Sequence, residues 1–107
     1  MAEEFVSSKL GSGLVVVFIK PTCPYCRRAR ELLLRYPFKP DCLRFVDITV
    51  QPDPDAIQDY LHQLTGARTV PRVFIGTRCI GGSSDLTSLD QSGQLLPQLL
   101  QIGAVQE

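Results

Sequence analysis

Leu14-Val15-Val16-Val17-Phe18-Ile19 runs through Lys20-Pro21-Thr22 into Cys23-Pro24-Tyr25-Cys26. The apolar run does not alternate with polar residues. It therefore reads as a strand, Leu14 to Lys20, buried on both faces at the centre of a helix-covered sheet. A helical pattern follows. Cys-x-x-Cys at a strand-to-helix junction sets two sulfurs one helical turn apart, close enough for a disulfide. It also sets the first sulfur at the helix N-terminus. There the peptide dipoles and free N–H groups stabilise a thiolate. A thiolate beside a second thiol is the minimum equipment for thiol–disulfide exchange.

The helix is expected from about Pro24 to Tyr36, because proline suits the first helical position, where its missing N–H costs nothing. Ala29, Leu32, Leu33 and Tyr36 fall at i, i+3, i+4, i+7 and form its buried face. Arg27, Arg28, Arg30, Glu31 and Arg35 read as a solvated face, with Arg27 adding positive potential near Cys23. Upstream, Glu3 to Lys9 suggests a short helix anchored by Phe5 and Val6, and Gly11-Ser12-Gly13 breaks the chain. Downstream, Pro37 to Asp41 is a loop and Leu43 to Ile48 a second strand, rich in β-formers. Asp53 is a suitable N-cap and Pro54 a suitable first residue for the next helix. Ile57, Tyr60, Leu61 and Leu64 are its expected buried face, and Gly66 its left-handed cap. This β-α-β-α order makes the first two strands parallel, joined by a right-handed crossover.

The second half changes character. Val73 to Ile75 is a strand, Gly76-Thr77 a tight turn, and Arg78 to Ile80 the returning edge strand. Ser83, Ser84 or Asp85 can cap a helix that runs through Leu86 and Leu89 to about Gln91. After Gly93, a last helix carries Leu95, Leu96, Leu99, Leu100 and Ile102, with Pro97 in its first turn. The sum is one α/β domain over residues 1–107: βαβ then ββα, a four-stranded mixed sheet with helices on both faces.

A chain of 107 residues suits one domain with a real core. Eleven basic and eleven acidic side chains balance, which supports neither nucleic-acid nor polybasic membrane binding. The longest apolar run is far short of a membrane span. Met1-Ala2-Glu3-Glu4 is no secretory signal, so a cytoplasmic protein is expected. Four cysteines could form two bridges in a secreted domain, but one redox-active pair and two spare thiols fit a cytoplasmic chain better. Zinc would need two further ligands from Cys42, Cys79 and His62, none of them in a second close pair, so no metal is expected.

Three stretches sharpen the redox reading. In Thr69-Val70-Pro71 a cis proline would hold Val70 with its backbone open, and an extended peptide could pair with it like an added strand. In Gly81-Gly82-Ser83-Ser84-Asp85 the glycines admit close approach. The helix start can hold a carboxylate, and Asp85 can receive an ammonium. Lys20 can meet a second carboxylate. A tripeptide with a carboxylate at one end, an amino acid at the other and a sulfur between them suits all three. Ordinary readings exist for the first two stretches: a trans proline opening a strand, and a glycine turn with a helix cap.

Val17 to Cys26, then Thr69-Val70-Pro71-Arg72-Val73-Phe74-Ile75-Gly76, then Ile80-Gly81-Gly82 with Ser84-Asp85, together resemble the dithiol glutaredoxins. They are most similar to the cytosolic vertebrate kind, also called thioltransferases, over nearly the whole chain. The resemblance implies a thioredoxin-like fold and a monomer. It implies glutathione as cosubstrate, recycled by glutathione reductase and NADPH, and glutathionylated or disulfide-containing proteins as substrates. By position, Cys23 matches the family's nucleophile and Cys26 its resolving thiol. Lys20 and Gln58 match the holders of the glycine carboxylate, and Tyr25 lies against the tripeptide. Thr69 and Val70, before Pro71, match the backbone-pairing segment. Gly82, Ser84 and Asp85 match the γ-glutamyl site. Ser83 stands where some relatives carry another cysteine, which puts oxidative regulation there in doubt. A rival role is a glutathione-ligated iron–sulfur carrier, as in some family members, and Pro24 counts against it. A thioredoxin served by its own reductase is opposed by Pro24-Tyr25 and by the Gly-Gly-Ser-Ser-Asp stretch.

Overall fold

A computed structural model describes all residues, 1–107. Its elements are α1 (Ala2–Lys9), β1 (Val15–Ile19), α2 (Pro24–Leu33), β2 (Leu43–Asp47), a 3-10 turn (Ile48–Val50), α3 (Pro54–Thr65), β3 (Arg72–Ile75), β4 (Arg78–Gly81), α4 (Ser83–Gln91) and α5 (Leu95–Gln101). The strands form one sheet in the order β2-β1-β3-β4. β1 is parallel to β2, with Val15 opposite Leu43 and Ile19 opposite Asp47. It is antiparallel to β3, with Val15 opposite Ile75. β4 returns antiparallel along β3 through a register shift at Val73/Phe74. This is the expected mixed α/β sheet of thioredoxin-like type.

The uninterrupted apolar run is explained by two cores, one on each face of β1. Val15 and Val17 point to one side and pack with Val73, Ile75, Leu33, Leu86, Leu95 and Leu99. That side is covered by α2, α4 and α5. Val16 and Phe18 point to the other and pack with Phe74, Val6, Ile57 and Leu61 beneath α1 and α3. Phe18 meets Phe74 edge to face, with ring centroids 5.7 Å apart. Such a pair contributes about 0.5–1.5 kcal/mol beyond its buried area. No helix is long and apolar enough to cross a membrane.

The helix caps follow their residues. Asp53 accepts a hydrogen bond from the Ala56 N–H at 3.1 Å and Pro54 opens α3. Gly66 closes it at φ 87°, a conformation that glycine adopts without a Cβ clash. Three details differ from the sequence expectation. Leu64 is exposed and Gln58 is buried instead, because the glutamine amide finds a partner inside the fold, the Arg68 carbonyl. No Ser83 or Ser84 hydroxyl caps α4. Its N-cap is Gly82, whose N–H donates to the Asp85 carboxylate at 2.9 Å. Finally, α2 stops at Leu33, and Tyr36 lies just beyond it in a turn.

Off the helix, Tyr36 turns its hydroxyl to donate to the Asp90 carboxylate, tying the end of α2 to α4. Burial first, then that carboxylate's hydrogen bond and charge, push the phenol up to about 12 from 10.0, against a small opposing pull from Arg35. The protonated phenol is thus favoured by folding. Its contribution is whole below pH 10.0, where folded and unfolded chains both hold the proton, and drains away as the pH rises towards about 12. Tyr36→Phe should lose about 1 kcal/mol in denaturant titration at neutral pH. The gap to wild type should close on the alkaline side.

Candidate functional site

At its C-terminal end β1 leaves the core through Lys20-Pro21-Thr22, and Cys23 becomes the N-cap of α2. The Cys23 N–H donates to the Lys20 carbonyl at 3.2 Å, which closes the turn. The N-cap position of α2 is filled by a sulfur where serine or aspartate is usual. Cys23 Sγ accepts the Cys26 N–H at 3.2 Å. That donor is one of the helix's unpaired N–H groups, and it favours negative charge on the sulfur. Cys23 is partly exposed, between Pro21, Thr22, Pro24 and Tyr25, which all face solvent.

Cys26, one turn along, points inward and is 3% exposed. Its thiol is pushed up to about 12 from 9.0. Burial is the largest cause, followed by the hydrogen bond to Cys23 and the charge there, and Lys20 pulls partly the other way. Two identical side chains in one motif therefore have opposite surroundings. Cys23 is open and beside a helix N-terminus, and Cys26 is dry and holds its proton at neutral pH. All four cysteines are free thiols. Cys42 and Cys79 pack on opposite faces of the sheet, in different core clusters from one another.

The Val70–Pro71 peptide is cis. The Cys23 thiol donates to the Val70 carbonyl at 3.6 Å, so β3's approach segment lies directly against the Cys23 sulfur. The Val70 N–H has no partner in the chain. Thr69 beside it is exposed. Gln58, 6% exposed, donates its amide to the Arg68 carbonyl at 3.0 Å and so secures this segment from α3. Tyr25 is 59% exposed at the start of α2. Ser84 and Asp85 are exposed at the start of α4. Asp85 has a structural duty as the cap acceptor. Gly81, at φ 115°, has to lack a side chain because a Cβ there would collide with the Asp85 carboxylate.

One residue escaped the sequence reading. Arg72 follows Pro71 and is 7% exposed, with no carboxylate partner. Its Nε donates to the Pro71 carbonyl at 3.4 Å and its Nη1 to Thr65 Oγ1 at 3.4 Å. Its Nη2 lies 3.0 Å from where a Gly82 Cβ would stand, so Gly82 is small to admit the guanidinium. A lone cation at the mouth of an otherwise apolar strand was the available signal.

Comparison with known proteins agrees with this geometry. Residues 15–80 match the family model described as Glutaredoxin. The chain is 67% identical over 106 residues to Glutaredoxin-1 of Homo sapiens, covering 99% of this chain and 100% of that one. It is 65% identical to Glutaredoxin-1 of Mus musculus, covering 99% of each. Among solved structures it is similar to a buckwheat glutaredoxin–glutathione complex, with a TM-score of 0.90 and 36% identity over 99% of this chain and 94% of that one.

The contrast between the two thiols is directly testable. Brief alkylation of the reduced, folded chain at neutral pH should label Cys23 and spare Cys26, as read by peptide mass mapping. Denaturant should then expose Cys26. Equal labelling of the two in the folded chain would contradict the assignment.

Proposed function

Because the chain belongs to the glutaredoxin family, a family of thiol–disulfide oxidoreductases with glutathione as cosubstrate, we propose that Cys23 and Cys26 are its redox centre and that it reduces protein–glutathione mixed disulfides. The Cys23 thiolate attacks the glutathione sulfur of the mixed disulfide. A Cys23–glutathione bond forms, the old S–S bond breaks, and the protein thiolate leaves and takes up a proton. A second glutathione, as thiolate, attacks that adduct. Oxidised glutathione departs and the Cys23 thiolate is restored. Glutathione reductase and NADPH return the two electrons to the oxidised glutathione. With a protein disulfide as substrate, Cys23 forms the mixed disulfide and Cys26 attacks Cys23, expelling the reduced protein and leaving a Cys23–Cys26 disulfide.

The observation that carries this reading is the opposite environment of the two thiols. Cys23, the N-cap of α2, is reachable and receives an N–H from the first turn, which serves both an attacking and a leaving sulfur. Cys26 keeps its proton because it is buried, and part of its shift comes from Cys23 itself. Once Cys23 is tied up in a mixed disulfide, that part disappears and burial remains.

The rest of the reading concerns how glutathione is held. Lys20 and Gln58 take its glycine carboxylate, and Tyr25 lies against it. Thr69 and Val70, ahead of Pro71, pair with its cysteinyl backbone. The unpartnered Val70 N–H supports this, and so does the Val70 carbonyl, which loses the Cys23 S–H as a donor once Cys23 is joined to glutathione. The turn at Gly82 and the start of α4 at Ser84 and Asp85 receive the γ-glutamyl group. The same reading has the chain act as a single-domain monomer in the cytoplasm.

Two predictions follow from these roles. Cys26→Ser should keep most of the reduction of a glutathione mixed disulfide but lose direct reduction of protein disulfides, and Cys23→Ser should lose both. The glutathione-coupled assay measures each. Equal failure of the two variants on the glutathionylated substrate would overturn the division of roles. Asp85→Asn keeps an acceptor for the Gly82 N–H and removes the charge. On an exposed residue that charge contributes at most about 1 kcal/mol, so KM for glutathione should rise several-fold. Reduction of the Cys23–Cys26 disulfide by dithiothreitol should stay near normal.

A further inference from the structure

On the far side of Cys23 from the Val70 segment, a cleft of about 250 Å³ is lined by Ile19, Lys20, Pro21, Cys23, Cys26, Arg27 and Arg30. It has no acidic residue and three cations: Lys20, assigned above to glutathione, and Arg27 and Arg30, which that reading leaves free. Its volume is below the ~300–1,000 Å³ of pockets that enclose a whole small molecule. It suits a side chain or two of a docking segment.

The charge there is not used inside the chain. The ion pairs are Arg35 with Asp90, and Arg68 with Asp55 and Asp59, and none involves Lys20, Arg27, Arg28 or Arg30. Two of these arginines are held in place by aromatic rings. Arg30 stands 5.0 Å over Phe45 of β2, and Arg28 stands 5.3 Å over Tyr25. The position of Arg27 and Arg28 also opposes local stability. Helices α1, α3 and α4 carry acidic residues in the first turn, where the helix dipole favours them. Helix α2 has none, and sets Arg27 and Arg28 within its first five residues. A chain whose charges balance overall thus gathers unpaired cations around one sulfur. A solvated helix face, the expectation from sequence, accounts for exposure but not for this one-sided arrangement.

We infer that this basic cleft beside Cys23 is a docking surface for the protein part of the substrate, and that it selects glutathionylated cysteines flanked by aspartate or glutamate. The inference rests on the proposed reduction of glutathione mixed disulfides and names the substrate class for it. Such a surface acts mainly on encounter, by steering an oppositely charged partner, and it weakens as salt shortens the reach of charge.

The test uses two peptides of equal length, each with a central cysteine in disulfide linkage to glutathione. One is flanked by aspartates and the other by lysines. At ionic strength of about 0.01 M the acidic peptide should have a kcat/KM about tenfold or more above the basic one, and the ratio should fall towards unity at about 1 M. The double variant Arg27→Gln/Arg30→Gln should lose most of the low-salt preference, with its thermal unfolding midpoint checked against wild type. Equal rates at low salt, a preference for the basic peptide, or a ratio indifferent to salt would each overturn the inference. The wild-type salt series decides this even if the variant folds poorly. Failure to turn over either peptide would instead overturn the proposed reduction of mixed disulfides.

Discussion

Burial of β1 on both faces is the constraint on which the rest depends. A strand whose successive side chains are all apolar has no face to give to water, so helices have to cover both sides. Val15 and Val17 recruit α2, α4 and α5, while Val16 and Phe18 recruit α1 and α3. The chain can leave such a sandwich only at the strand's ends. At the C-terminal end Lys20-Pro21-Thr22 turns it out, and α2 turns it back in. Cys23 falls within that excursion, partly exposed, and Cys26 one turn below, on the core side. The difference between the two thiols is therefore a consequence of how a doubly buried strand ends.

The environment at Cys23 is assembled from parts distant in sequence. The first turn of α2 supplies an N–H, and the segment before β3 supplies the Val70 carbonyl. Two groups secure that segment from behind. Gln58 holds the Arg68 carbonyl from α3, and Arg72 reaches from the Pro71 carbonyl to Thr65 at the end of α3. Burying a guanidinium with no carboxylate partner is costly, and Arg72 offsets the cost only in part with neutral acceptors. The small residue at Gly82 makes room for it, so the α4 turn and the Val70 segment share one support. Asp85 likewise serves as the acceptor that closes the start of α4.

Electrostatics on this face run in one direction. The helix N-terminus, Lys20 and the arginines of α2 all add positive potential around Cys23, and the nearest carboxylate of α2, Glu31, lies two turns along. A surface of this kind favours anionic partners of any size. The proposed binding of the tripeptide's carboxylates and the inferred docking of an acidic protein segment both draw on that property.

Sequence alone determined the order of elements, the mixed sheet and the position of Cys23 at a helix start. These rest on local physics: apolar runs, proline and glycine geometry, and helical spacing, all carried by contiguous residues. The caps at Asp53 and Gly66 were legible for the same reason. Residues whose surroundings come from elsewhere in the chain were not. Leu64 fits the apolar spacing of α3, yet it faces solvent while Gln58 is buried, where its amide donates to the Arg68 carbonyl in the loop before β3. The role of Gly82 as a site for Arg72 depends on atoms brought together across the fold. So does the raised pKa of Cys26, since motif spacing puts two sulfurs near each other but only packing determines which one water can reach. Burial and long-range pairing are properties of the assembled layers, and no window of the sequence contains both partners.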